Sequence, residues 1–250
     1  MSAIWDRLRF ATRAPIFVVL MCAPIACEAI SHNGETVAET FPNTKTAALV
    51  RAAESGNVEK MQALVQEGAN VNDAGKQGVT PLVWVMTDHD YAGVEALLKL
   101  GADPNKKIAN HNSPMWLAAG RDDRKMLALM LKYHGDPNII GTGYASALEI
   151  AVRQFYVHNV DLLVKNGADI NLVDPAGDTA ATSAASVGHF DILAHLLELG
   201  YSHNLQDLAG WVEASKVNAH EQPNKDRVIT MLRARGVQYP VQRRHGHSQS

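Results

Sequence analysis

Cysteine is nearly absent from this chain: Cys22 and Cys27 are the only two in 250 residues. A disulfide framework is therefore excluded for everything that follows them, and stability has to come from packing. Long apolar runs are missing too. The run APIFVVLMCAPIA at 14–26 would rise roughly 20 Å as a helix, short of a hydrocarbon layer of roughly 30 Å. Neither sign of charge dominates, with 23 basic and 26 acidic residues and a formal net charge of −3. That balance removes any general attraction to nucleic acid or anionic lipid. Apolar residues at 46% and charged residues at 20% are an ordinary globular mixture.

What is present begins with a leader. Arg7, Arg9 and Arg13 precede the 14–26 run, and small residues follow it. This pattern is expected of a secretory signal over residues 1–29, cut after Ala29. A second reading of PIAC at 24–27 makes Cys27 a lipidated N-terminus and the only tie to a membrane. Removing 1–29 takes away Arg7, Arg9, Arg13, Asp6 and Glu28, leaving 20 basic against 24 acidic residues, a net charge of −4.

A period of 33 residues runs through the remainder. Asn72, Asn105, Asn138, Asn171 and Asn204 keep that step, as do Thr80, Ser113, Ser146 and Thr179. Gly68, Gly101, Gly167 and Gly200 form a third ladder, with His134 in the missing glycine slot. Such a period signals a solenoid. Each unit reads alike, as TAATSAASVGHFDILAHLLELG at 179–200 illustrates. Thr179 caps a first helix, Ala180 to Ala185 let neighbours approach, and Gly188 breaks it. Phe190, Ile192, Leu193, Leu196 and Leu197 form the apolar stripe of a second helix, which Gly200 ends in a left-handed cap.

These units resemble the ankyrin repeat. The resemblance rests on TPL at 80–82, AAESGNVEKMQALVQEGANVN at 52–72, VEALLKLGADPN at 94–105, VDLLVKNGADIN at 160–171 and AASVGHFDILAHLLELG at 184–200. It implies an all-α solenoid of helix-turn-helix units joined by hairpin-like turns. The expected plan is a linker or N-cap over 30–45 and a repeat domain over 46–239. Five repeats start near 47, 80, 113, 146 and 179. An irregular capping repeat covers 211–239, with an insertion around 220–225, and a disordered tail covers 240–250. The family's usual His after Thr-Pro-Leu is replaced by Val50, Val83, Trp116, Glu149 and Thr182. Its hydrogen bond between neighbouring turns is therefore expected to be missing throughout. Trp116 is expected in the core, while Glu149 either accepts backbone N–H bonds or faces solvent.

Function in this fold is implied to be protein binding through a concave groove lined by turn tips and first helices. The candidate partner-binding residues are Lys76, Trp84, His89, Tyr91, Lys107, His111, Arg121, Tyr144, Arg153, Phe155, Tyr156 and Trp211, a set rich in interface anchors. Tyr156, Arg153 and Lys107 are expected to be exposed, whereas Trp84 and Phe155 are divided between groove and core. No catalytic machinery is legible. GTGYAS at 141–146 lacks the lysine of a phosphate loop, and Asp122–Asp123 reads as a solvated turn. His245 and His247 fall short of a metal ligand set. The expectation is a non-enzymatic, cofactor-free, monomeric periplasmic binder, foremost an immunity protein that neutralises a toxic enzyme such as a lipase. A helper of a periplasmic enzyme such as a catalase, or a metal- or ligand-binding accessory protein, are the alternatives.

Overall fold

The computed structural model describes residues 35–241. The leader, Cys27 and the histidines of the tail lie outside the described residues. Among the described residues thirteen α-helices and no strands follow one another along the chain. A short α1 (Val37–Thr40) precedes six helix pairs: α2 (Thr44–Glu54) with α3 (Val58–Gln66), α4 (Pro81–Met86) with α5 (Tyr91–Lys99), α6 (Pro114–Ala119) with α7 (Arg124–Lys132), α8 (Ala147–Arg153) with α9 (Val157–Lys165), α10 (Ala180–Val187) with α11 (Phe190–Glu198), and α12 (Leu205–Ala214) with α13 (Gln222–Ala234). We call these pairs units 1 to 6.

Local signals set the repeat. Thr80, Ser113, Ser146 and Thr179 cap α4, α6, α8 and α10 through their side-chain oxygens, and proline opens α4 and α6 where its missing N–H costs nothing. The two six-residue helices α4 and α6 are buried at every position. Second helices are amphipathic instead: α7 buries Met126, Leu127 and Met130, half-buries Leu129 and Leu131, and exposes Arg124, Lys125, Ala128 and Lys132. Each of the first four tips closes with one backbone bond at the same step, from the N–H of Gly75, Ile108, Gly141 and Asp174 to the carbonyl of Val79, Asn112, Ala145 and Asp178.

The asparagine ladder is the stitching between units. Asn105 accepts from the Asp136 N–H at 2.7 Å and donates to the His134 carbonyl at 2.9 Å. Asn72 makes the same pair of bonds to Asp103 and Gly101, and Asn138 to Asp169 and Gly167. Asn171 accepts from Ser202 and His203. One side chain thus satisfies two backbone groups at the end of the following unit's second helix, which explains why the residue recurs with the unit.

Two expectations are corrected here, and the choice left open for Glu149 is decided. A hydrogen bond from the vacant His slot to the neighbouring turn is present at one junction, where the Trp116 indole N–H donates to the Ala145 carbonyl at 2.8 Å. The tips also bond directly, from the Ala109 N–H to the Gln77 carbonyl at 2.9 Å and from the Thr142 N–H to Asn112 Oδ1 at 2.9 Å. Of its two readings, Glu149 takes the one that accepts a backbone N–H and does not face solvent. It is fully buried, closes a capping box by accepting from the Ser146 N–H at 2.8 Å, and accepts from the Ser183 hydroxyl of unit 5 at 3.3 Å. The sixth unit starts at Leu205, directly after Asn204, so Trp211 lies in the last turn of α12 rather than at its start. At the other end α2 begins at Thr44, capped by Asn43, and α1 packs against it within the segment expected as an N-cap.

Candidate partner-binding surface

Two rows of residues in the left-handed conformation flank the first helices. At the tips they are Gly78, His111, Tyr144 and Gly177; at the ends of the first helices they are Gly56, His89, Phe155 and Gly188. Each row steps by one period or two. In both, glycine stands in the outer units and a large side chain in the middle ones. Glycine adopts this geometry freely, whereas an L-residue pays about 1 kcal/mol or more, and for Phe or Tyr it is a genuine outlier. Tyr144 is nevertheless 60% exposed and Phe155 46% exposed, so neither recovers that cost by burial in the core. His111 is exposed as well.

His89 is bound into a small polar cluster. Its Nδ1 lies 2.9 Å from Asp123 Oδ2, which also accepts from the Tyr91 hydroxyl at 3.0 Å, while Oδ1 accepts from the Met126 N–H at 2.9 Å. Asp123 is therefore no solvated loop acid: it is buried and caps α7. Burial pushes its carboxyl up, but the Met126 N–H, His89 and Tyr91 together outweigh that and hold it below the usual carboxylate value. The Lys125 ammonium sits 4.1 Å from the Tyr91 ring centroid.

The other candidates divide. Trp84 is buried, its ring edge-on to Phe41 at 5.7 Å and its indole N–H donating to Glu54 at 2.7 Å, so it belongs to the core and not to an exposed groove. Arg153, expected to be exposed, is half-buried because it donates to the Ser183 hydroxyl at 3.1 Å and faces Glu149 at 3.6 Å. Tyr156, also expected to be exposed, is half-buried at the start of α9, and Arg121 is half-buried on the α6–α7 loop. Lys107 is exposed, as is Lys76, which pairs with Glu35 at 3.2 Å. Trp211 is 47% exposed.

Sequence reasoning missed two residues of this surface. Asn159 is buried and donates to the carbonyls of Ala119 and Arg121, which fixes the loop carrying Arg121. His189 meets Phe155 in a tilted ring contact with centroids 4.8 Å apart. The signal for the second was the period, since His189 follows Gly188, the unit-5 counterpart of Phe155. Among the described residues no three His, Cys, Asp or Glu side chains gather as metal ligands, and no helix is long and apolar enough to cross a membrane.

Paired short helices, tips at a constant step and an asparagine stitch define a stacked helical repeat protein whose exposed rims are its free surface. A family model described as "Ankyrin repeats (3 copies)" matches residues 22–108 and 115–207, and the chain belongs to the ankyrin-repeat family. It is 27% identical over 165 residues to the ankyrin-repeat protein YahD of Escherichia coli, covering 64% of this chain and 82% of that one. It is also 32% identical over 149 residues to protein PhlB of Serratia liquefaciens, covering 59% and 65%. The crystal structure of the ankyrin-repeat protein EF0377 superposes with a TM-score of 0.60 at 25% identity, covering 75% of this chain and 97% of that one. The fold is in general a non-enzymatic protein-interaction module.

Proposed function

We propose that this chain grips one folded protein partner across the rims of units 2 to 4, and that it does so after export, as an immunity protein neutralising a toxic enzyme such as a lipase. The observation that carries the binding reading is the placement of Phe155 and Tyr144. Both hold exposed rings on backbone that their counterparts in the outer units fill with glycine. Strain kept at an exposed position is not offset by burial in the core, and it is understandable where the side chain meets something else. Rigid aromatic rings with histidines beside them suit that role. The leader expected over 1–29 motivates export, and the neutralising role fits a binder without catalytic groups.

The test uses opposite signs. Replacing Phe155 and Tyr144 with Gly should leave the chain as stable as the parent or more so, while weakening partner binding by about 2 kcal/mol or more. Unchanged affinity in a folded double variant would refute the surface. For the neutralising role, cells lacking the gene should be killed by a sibling strain that carries it. Survival equal to wild type would refute that role.

A further inference from the structure

We infer that the partner meets this surface with an acidic segment laid across unit 3, an assignment that rests on the binding surface described above. Residues 106–125 hold five basic side chains, Lys106, Lys107, Arg121, Arg124 and Lys125, against two acidic ones, Asp122 and Asp123, in a chain whose formal net charge is −3. Asp123 is already taken by the Met126 N–H, His89 and Tyr91. The basic residues fall on both rims: Lys106 and Lys107 on the tip that also bears His111, and Arg121, Arg124 and Lys125 beyond the far end of α6. Between them runs a helix of six residues, about 9 Å of axial rise, which three residues of an extended strand would span.

Among the described residues, Lys106, Lys107 and Arg124 have no carboxylate within ion-pair distance, so their charge is not neutralised by the chain itself. What sets this face apart from an ordinary solvated one is the start of α7. Arg124 and Lys125 are the first two residues of α7, with no acidic residue in its first turn. The helix dipole disfavours positive charge there. The matching helices start with Val58–Glu59, Tyr91–Ala92, Val157–His158 and Phe190–Asp191. Unit 3 alone places two cations where its own helix opposes them. Complementary carboxylates from outside relieve both the mutual repulsion and the clash with the dipole. Asp88, Asp90 and Asp122 lie on the same rim, with Asp123 capping α7, and they reduce the field there. Phe155 and Tyr144, in the next unit, would receive the apolar residues flanking the acidic stretch.

The experiment titrates the isotope-labelled chain with four probes: a twelve-residue peptide of Asp, Glu and two Leu, the same peptide with Lys and Arg for the acids, a single-stranded oligonucleotide, and phosphatidylglycerol vesicles. The acidic peptide should shift the amide resonances of 106–111 and 121–125, with an affinity that falls as salt is raised. A folded Lys107→Glu/Arg124→Glu variant should bind it about ten-fold more weakly or worse. Lys60→Glu, an exposed position on α3, should leave binding unchanged. Equal binding of the basic peptide, tighter binding of the oligonucleotide or vesicles, or no binding of the acidic peptide would each overturn the assignment. The two readings fail separately. Full partner affinity in the Phe155→Gly/Tyr144→Gly variant refutes the surface, whereas lost affinity there with no acidic-peptide binding refutes only the charge assignment.

Discussion

The indole N–H of Trp116 reaches out of unit 3 and donates to the carbonyl of Ala145, 2.8 Å away in the tip that leads into unit 4. The same carbonyl accepts the tip-closing bond from Gly141 at 3.0 Å. Trp116 therefore adds one direct bond between units on top of its packing. Gly141 backs the ring so closely that a Cβ there would stand 2.6 Å from it. Trp116→Phe should cost about 1 kcal/mol, the net worth of one hydrogen bond whose acceptor keeps a second donor. Gly141→Ala should cost more, about 1–3 kcal/mol, by forcing the ring aside. Urea unfolding of both variants checks the order, and equal stability of Gly141→Ala and the parent would contradict this packing.

The asparagine stitch gives a second expectation. Asn105→Ala removes a donor and an acceptor from backbone groups of the following unit. It should destabilise by about 1–2 kcal/mol, two modest bonds near solvent. Asn105→Asp keeps the acceptor for the Asp136 N–H and loses only the bond to the His134 carbonyl, so it should fall between the two. A thermal melt series orders all three.

His134 isolates the backbone term. It occupies the glycine slot at the end of α7 with φ of 68°, exposed and with no hydrogen bond from its ring among the described residues. His134→Gly should therefore stabilise the chain, by up to about 1 kcal/mol once the greater freedom of glycine in the unfolded state is set against the relief. A lower unfolding midpoint would show that the histidine makes a contact worth more than its strain.

Two buried acids make opposite predictions for pH. The carboxyl of Asp123 is held below its ordinary value, so its contribution is complete above the unfolded pKa near 3.8 and is lost as pH falls through the lower folded value. Asp123→Asn should remove that part of the acid sensitivity. Burial raises the Glu149 carboxyl, with Asp174 adding to the rise, and the Ser146 N–H and hydroxyl and the Arg153 guanidinium only partly offset this. Its contribution is complete below the unfolded pKa near 4.5 and is lost as pH rises through the higher folded value. Glu149→Gln retains the capping geometry without the charge. It should gain stability relative to the parent at pH 8 and not at pH 4. Stability curves against pH for the two variants should move apart in these opposite senses.

How far the surface could be read in advance differs residue by residue. Lys107, His111 and Tyr144 were placed by register alone, because a tip position projects outward in every unit. Trp84 was not, since its slot can open to a groove or be closed by whatever precedes it, and here Phe41 and Glu54 close it. Asp123 looked like one of two loop acids until His89 and Tyr91, more than thirty residues earlier, were seen to donate to it. The early start of the sixth unit was hidden as well. After Asn204 no Thr or Ser cap marks a first helix, and Asn204 itself turns left-handed to begin α12.

By itself the sequence determined the unit, its length and its number. Caps, helix breakers and apolar stripes act within a few residues of one another, and a 33-residue spacing repeats them in step. Only the tertiary structure decided which large side chains are spent on the stack and which are left for a partner. That choice is made across one period. Trp116 meets Ala145, Trp84 meets Glu54, and Arg153 meets Ser183 only when neighbouring units close on each other. No local rule states how far a ring or guanidinium sinks into a junction formed by residues thirty positions away.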